Sequence, residues 1–186
     1  QSEINLTAID KWENIKTEII KVERIYNKNT HLKSPKEGLN PTLLIGKKKQ
    51  NRLALILGVN SYETLTDLPF AENDANFFYD YAVYALGIPA ENIILVINPE
   101  LKDMYKATNN LQKTIDEQSE LFVYYAGHGL SYQSDNRLLA ADFDVSVIQQ
   151  TSLLQSELID MIAKVNPRSV TIIFDTCFSG VNREGE

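Results

Sequence analysis

The feature that most constrains this chain is a series of short, continuous apolar runs separated by segments with helical periodicity. The runs are 53–59, 92–97, 121–125 and 170–174, with a shorter one at 138–141. Strands that lack apolar–polar alternation are buried on both faces, and parallel sheets bury their strands in this way between helices. The sequence therefore predicts a three-layer α/β/α fold with a mainly parallel central sheet.

The first 50 residues follow a different pattern from the rest of the chain. Apolar residues in 3–26 recur mostly at three- and four-residue spacing, which predicts an amphipathic helix. Residues 27–50 are rich in Lys, Asn, Gly and Pro, as expected of a linker. We therefore predict an N-terminal helix and linker over 1–50, followed by one α/β domain over 51–186 with helices at 74–86, 101–118 and 152–165.

Composition and motif content argue against several classes of function. The net charge of −7, from 18 Lys and Arg against 25 Asp and Glu, disfavours nucleic-acid binding, which needs a basic face. No run approaches the roughly 18 apolar residues of a membrane-spanning helix, so we expect no membrane contact. No G-x-G-x-x-G pattern follows the first apolar run, which disfavours a nucleotide-binding fold. The single cysteine permits neither an internal disulfide nor a multi-cysteine metal site, and fits a reducing, cytoplasmic location.

Two of the predicted strands end in residues with catalytic chemistry. The run 121–125 leads into His128, flanked by glycines, and the run 170–174 leads into Cys177. Parallel strands end at one edge of a sheet, so we expect His128 and Cys177 to meet although 49 residues separate them (177 − 128). A free thiol has a pKa of about 8.5, and a neighbouring imidazole can take its proton and pass it to a leaving amine. We predict the main-chain N–H groups of Gly129 and Cys177 as oxyanion donors.

Each catalytic candidate also has a structural explanation when it is considered alone. A cysteine after an apolar strand is often a buried small hydrophobe, and a histidine in a glycine-rich loop is often a turn residue. However, Cys177 is the one cysteine and His128 is one of two histidines, so their joint position at two strand ends favours catalysis. His31 lies in the linker and follows no apolar run, so we interpret it as incidental.

The motifs YYAGHG around His128 and DTCFSG around Cys177 resemble those of the caspase-like superfamily of cysteine peptidases. DTCFSG is more similar to the metacaspase and bacterial form than to the animal caspase form. The stretches LALILGVNSY and AENDANFF also resemble the first strand and first helix of the bacterial proteins. The resemblance covers roughly residues 51–180 and implies the large-subunit portion of a caspase-like thiol protease with a cysteine–histidine dyad.

The resemblance further implies cleavage after Arg or Lys. Metacaspase-like enzymes hold that side chain with two carboxylates, whose positions match Asp175 and Asp74 in this chain. In a partly desolvated pocket, two carboxylates attract a guanidinium strongly. The family often has Ser at the position of Ala126 and Cys at that of Ala71, so this pocket would keep its charges and lose two polar groups. The alternatives are a helix N-terminal acid for Asp74 and a turn-capping carboxylate for Asp175.

The resemblance implies a cysteine endopeptidase in a regulated pathway such as bacterial defence or cell death, and the alternative is an inactive caspase-like scaffold. The expected partners are a protein or peptide substrate, a small-subunit fragment of the same precursor, and a regulatory protein bound through the N-terminal helix. Arg52 precedes the first strand, at the wrong end of the sheet to hold a substrate Asp as animal caspases do. Arg183 is a candidate site of zymogen processing, and residues 142–151 form a loop able to line the cleft. We expect no metal or cofactor; a calcium requirement would leave no recognisable pattern.

Overall fold

The computed structural model describes residues 2–9, 15–22, 40–132 and 135–180, and among these the side chains of 40–132 and 135–178. The chain divides into two compact units, Gln1–Leu39 and Asn40–Glu186. Residues 40–50, which the sequence assigned to the linker, belong to the second unit, where the Lys49 amide donates to the Gly87 carbonyl at 2.9 Å. Arg183 lies outside the described residues.

The helix predicted over residues 3–26 is wrong where the structure describes this segment. Two strands, β1 (Ser2–Ile9) and β2 (Ile15–Val22), pair antiparallel there. The apolar residues of the segment are mostly isoleucine and valine, whose branched Cβ atoms restrict rotamers in a helix and favour a pleated strand. Residues 10–14 and 23–39, which hold the rest of the predicted helix and most of the linker, lie outside the described residues. The regulatory role assigned to this segment stays a prediction.

The second unit contains a central sheet and a smaller one. Its strands are β3 (Arg52–Gly58), β4 (Ile93–Ile97), β5 (Glu120–Ala126), β6 (Gly129–Tyr132), β7 (Asp135–Leu139), β8 (Ser152–Leu154), β9 (Ser169–Asp175) and β10 (Phe178–Gly180). Its helices are α1 (Ala71–Tyr84), α2 (Leu101–Gln112) and α3 (Gln155–Ala163). The central sheet has the order β4-β3-β5-β9 with every pair parallel, and the smaller sheet has the order β10-β6-β7-β8. The predicted α/β fold with a mainly parallel sheet is confirmed.

Helices cover both faces of β3. Successive side chains of a strand point to opposite faces, so neighbouring residues of β3 pack against different helices. Leu55 packs in one core cluster with Met104 of α2. Ile56 packs in a second cluster with Ala75 of α1. Gly58 has no room for a side chain, since an added Cβ atom would lie 2.6 Å from the Cβ atom of Ala75. The continuous apolar run is therefore explained by burial between two helical layers.

Several element boundaries differ from those that periodicity predicted. The helix expected to reach residue 118 ends at Gln112, because the chain then turns and the Ser119 hydroxyl donates to the Asp116 carboxylate at 2.8 Å. The helix expected from residue 152 begins at Gln155, because the preceding residues pair with β7 as strand β8. Strands β6, β8 and β10 were not predicted. None of the described helices combines the length and the apolar character needed to cross a bilayer.

Candidate active site

His128 and Cys177 lie in matching gaps between two pairs of parallel strands. The last residues of β5 and β9, Ala126 and Asp175, pair with each other, and so do the first residues of β6 and β10. Both pairs are 49 residues apart (175 − 126 and 178 − 129), the same separation as that between His128 and Cys177. The continuous register therefore brings the main chain of His128 alongside that of Cys177.

The imidazole of His128 is half-buried and is held by a main-chain carbonyl. Its Nε2 atom lies 2.9 Å from the carbonyl oxygen of Thr66. A carbonyl oxygen only accepts hydrogen bonds, so Nε2 carries the proton and Nδ1 of the neutral ring keeps its lone pair. The contact therefore selects the tautomer in which Nδ1 can accept a proton. The sequence analysis did not identify Thr66. Its contact is made by a main-chain oxygen, which every residue has, so the residue type gives no indication of it.

Two tyrosines hold the main chain of His128 from both ends of the residue. The His128 amide donates to the Tyr62 hydroxyl at 2.7 Å, and the Tyr125 hydroxyl donates to the His128 carbonyl oxygen at 2.7 Å. The ring of Tyr62 also lies against the imidazole, with 4.9 Å between the ring centroids. Burial raises the pKa of Tyr62, and the hydrogen bond from the His128 main chain partly opposes this. Tyr62 and Tyr125 therefore act as positioning residues for the imidazole, a role that sequence reasoning did not assign.

The glycines on either side of His128 are required by close packing. Glycine permits the positive φ angles of sharp turns, but among the glycines of the described chain the positive φ angle belongs to Gly87. An added Cβ atom at Gly127 would lie 2.5 Å from the Tyr125 hydroxyl oxygen. At Gly129 it would lie 2.6 Å from the Thr176 hydroxyl oxygen, on the segment that carries the cysteine. The absence of a side chain at both glycines thus allows the histidine segment to pack closely against Tyr125 and Thr176.

Cys177 is exposed, in contrast to the half-buried His128. It follows β9, an edge strand of the central sheet in the described chain, whereas His128 follows the interior strand β5. The predicted oxyanion donors are the main-chain N–H groups of Cys177 and Gly129. Gly129 pairs with Phe178, the residue after Cys177, so the two donors lie on adjacent segments. Their role as oxyanion donors stays a prediction.

The three predicted substrate-binding residues, Asp74, Ala126 and Asp175, line one pocket of about 150 Å³. Here this is called the acidic pocket. Ala71 lines it too, so both positions at which the chain departs from the metacaspase pattern present methyl groups to the pocket. Both aspartates are exposed, so the pocket is more open to solvent than the desolvated site that we expected. The acidic pocket also borders Gly127, next to the candidate catalytic histidine.

The two carboxylates of the acidic pocket influence each other. Partial burial and then the negative charge of Asp175 raise the pKa of Asp74. The Tyr124 hydroxyl donates to Oδ2 of Asp175 at 2.9 Å, which fixes the orientation of that carboxylate. Burial and the hydrogen bond to Asp175 raise the pKa of Tyr124 well above its usual range, so this hydroxyl remains a donor. The pair therefore forms a negative site with one oriented carboxylate.

No arginine of the described residues lines the acidic pocket. Arg52 lies at the start of β3, opposite the end that carries the candidate site, and its Nε atom donates to Glu120 at 2.8 Å. The arginine needed to bind a substrate Asp is therefore not supplied by Arg52. Among the residues that the structure describes, no group of three or more His, Cys, Asp or Glu side chains is arranged to hold a metal ion.

Comparison with known proteins identifies the family of this chain and agrees with its fold. A sequence-family model described as a caspase domain matches residues 51–186. The chain belongs to the caspase-domain family. This caspase-domain chain is 31% identical over 144 residues to the Paracaspase of Dictyostelium discoideum, covering 76% of the chain and 34% of that relative. It is 28% identical over 138 residues to Metacaspase-4 of Arabidopsis thaliana, covering 68% of the chain and 33% of the relative.

A solved structure also shares the fold of this caspase-domain chain. The crystal structure of protein GSU0716 from Geobacter sulfurreducens superimposes with a TM-score of 0.56 at 19% sequence identity. The match covers 70% of this chain and 52% of that chain, and it supports the fold alone. The chain spans about a third of the length of the curated relatives described above (34% and 33%).

The positioning role of Tyr62 predicts an effect on the reactivity of the thiol. Tyr62→Phe removes the acceptor of the His128 amide, so the imidazole is held less firmly near Cys177. We expect the rate of alkylation of Cys177 by iodoacetamide at neutral pH to fall by about tenfold, and its pH profile to change. The single cysteine of the chain makes this reaction specific to the site.

Tyr105→Phe is the matched control, because the Tyr105 hydroxyl donates to Glu157 at 2.9 Å between helices α2 and α3. In urea unfolding, the missing hydroxyl should lower the free energy of unfolding of each variant by at most about 1–3 kcal/mol. A Tyr62→Phe protein that alkylates with the profile of the unsubstituted protein would refute the positioning role.

Proposed function

We propose that this caspase-domain protein is a cysteine endopeptidase that cleaves after Arg or Lys in a regulated proteolytic pathway. Cys177 is the nucleophile, and His128 is the general base and then the general acid. The proposal is supported by one observation above all: the shared 49-residue register of β5–β9 and β6–β10, in which the main-chain segments of the two residues adjoin each other and follow Gly127 and Asp175 of the acidic pocket. Membership of the caspase-domain family supports it independently.

In the proposed mechanism, the thiol proton of Cys177 moves to Nδ1 of His128 and the thiolate attacks the carbonyl carbon of the scissile bond. The N–H groups of Gly129 and Cys177 stabilise the resulting oxyanion. As the C–N bond breaks, the imidazolium gives its proton to the leaving amine and the acyl group remains on sulfur as a thioester. Water, deprotonated by His128, then hydrolyses the thioester and restores the thiol. The Thr66 carbonyl stabilises the imidazolium by accepting its Nε2–H hydrogen bond.

The preference for basic residues follows from the charges of the acidic pocket. Asp74 and Asp175 supply two carboxylates, which suit a guanidinium better than an ammonium because a guanidinium has several donors in one plane. The methyl groups of Ala71 and Ala126 offer apolar surface to the stem of the side chain. We therefore propose that Arg is preferred over Lys in this pocket.

The catalytic assignment predicts the loss of peptide hydrolysis in two variants. Cys177→Ala removes the nucleophile and His128→Ala removes the proton acceptor, so kcat on Arg peptides should fall below detection in both. His31→Ala is the control for the loss of a histidine, and it should keep the activity of the unsubstituted protein. Turnover that persists in Cys177→Ala would remove Cys177 from the mechanism, and an inactive unsubstituted protein would favour the scaffold alternative.

The specificity assignment is tested with peptides that carry Arg, Lys, Asp or Leu before the scissile bond. For Arg peptides, Asp175→Asn and Asp74→Asn should each lower kcat/KM by about tenfold, since an exposed carboxylate contributes less than a buried one. Asp80→Asn, on the same helix as Asp74 but away from the acidic pocket, is the matched control. Unchanged kinetics in both pocket variants would contradict the assignment.

The acidic pocket also predicts how KM depends on pH. The raised pKa of Asp74 means that its carboxylate becomes protonated at a higher pH than an ordinary aspartate as the pH falls. KM for Arg peptides should therefore begin to rise at a higher pH in the unsubstituted protein than in Asp74→Asn, which has no carboxylate to protonate at this position and keeps only that of Asp175.

We also propose that a small-subunit fragment of the same precursor pairs with β9. In the described chain, β9 has β5 on one side and no strand on the other, and its Ile173 and Val170 are 39% and 40% exposed. An edge strand with unpaired main-chain groups and exposed apolar side chains is a template for another strand. The relatives are about three times as long as the matched segment, which supports a partner within the same precursor.

This partner assignment is tested by substituting the exposed strand. Ile173→Lys places a charge in the proposed contact and should weaken co-purification of the fragment, with affinity at least about tenfold lower. Ile159→Lys is the matched control, because Ile159 on α3 is 40% exposed and lies away from β9. Equal recovery of the fragment with both variants would contradict pairing at β9.

A further inference from the structure

A second pocket, here called the apolar pocket, borders His128 and has a volume of about 300 Å³. Its floor consists of the buried side chains of Leu130, Leu139 and Phe143. Leu65, which is 36% exposed, and Val145, which is 65% exposed, line it nearer to solvent. Among the described residues, no ionisable side chain other than the imidazole lines this pocket. It is therefore suited to an apolar group.

The apolar pocket and the acidic pocket follow each other along one segment of the chain. Ala126 and Gly127 line the acidic pocket, whereas His128, Gly129 and Leu130 line the apolar pocket. The two pockets share no lining residue. A substrate that occupies both pockets must therefore pass His128 between them.

We infer that the apolar pocket binds the side chain of the residue that follows the scissile bond, and that it selects an apolar side chain at that position. The inference rests on the proposed peptidase function and extends it to the leaving side of the substrate. The leaving amine must lie beside the imidazole of His128, because that ring gives it a proton. The amine nitrogen belongs to the residue after the scissile bond, so the side chain of this residue lies within reach of a pocket that His128 itself lines.

The chemistry of the lining determines which side chains are favoured. Burial of Leu or Phe against the floor of the pocket removes apolar surface from water, whereas Gly has no side chain to bury. An Asp would lose hydration without a charged partner in the pocket. Discrimination by apolar pockets of this kind is commonly about 10- to 200-fold in kcat/KM. The substrate class is therefore a basic residue followed by an apolar one.

The test uses peptides that are identical except for Leu, Phe, Gly or Asp directly after Arg. With the full-length protein, kcat/KM for the Leu and Phe peptides should exceed that for the Gly and Asp peptides by at least about tenfold. Val145→Asp places a carboxylate beside the pocket and should lower the Leu-to-Gly ratio by about tenfold. Val147→Asp is the matched control: it lies two residues away, is 42% exposed and does not line the pocket, so the ratio should stay that of the unsubstituted protein.

The outcomes separate this inference from the proposed function. If Arg peptides are cleaved but the Leu-to-Gly ratio stays within about twofold of one, the inference is overturned and the proposed function stands. If no Arg peptide is cleaved, the proposed function fails, and binding of the same peptides to the Cys177→Ala protein decides the inference. In the Cys177→Ala protein, tighter binding of the Leu peptide than of the Gly peptide, lost when Val145→Asp is added, would support the inference. Equal affinities for the Leu and Gly peptides would overturn the inference.

Discussion

The parallel pairing of β5 with β9, continued after a short gap by that of β6 with β10, fixes the positions of His128 and Cys177. Main-chain hydrogen bonds on both sides of the gap set the register, while the residues inside the gap are free of the regular ladder. A slip of one residue would move His128 away from Cys177 and reverse the faces of every β9 side chain. Val123 of β5 and its register partner Ile172 of β9 pack in one core cluster, so the core and the site depend on the same register.

Two successive residues of β5 support the two halves of the site. Tyr125 belongs to the core cluster shared with α2 and α3, and its hydroxyl holds the main chain of His128. Tyr124 belongs to the cluster shared with α1, and its hydroxyl orients the carboxylate of Asp175. Because neighbouring strand residues point to opposite faces, one interior strand positions both the candidate base and the acidic pocket. The support of the candidate base therefore comes from the layer of α2 and α3, and the support of the acidic pocket comes from the layer of α1.

The sequence predicts those parts of this arrangement that depend on residue type and regular period. The apolar runs predict the parallel sheet, and the strand ends predict that His128 and Cys177 approach each other. Strands β6 and β10 span four and three residues, too few for a period to be read. The contact of Thr66 uses a main-chain oxygen, which every residue possesses. In the N-terminal segment a periodic pattern is present but predicts the wrong element. The three- and four-residue spacing of isoleucines predicted a helix, but their branched Cβ atoms favour the strands β1 and β2.

The candidate dyad is supported unequally, and the topology explains why. His128 follows an interior strand and is held through Tyr62, Thr66 and Tyr125. Cys177 is exposed and follows β9, whose outer edge is unpaired in the described chain. The candidate base is thus held by described residues of this chain, whereas under the proposed pairing the surroundings of the candidate nucleophile depend on the fragment bound at β9. Under the proposed pairing, a strand added there would cover the cysteine segment without altering the contacts of the histidine, so association at β9 would change the reactivity of the thiol.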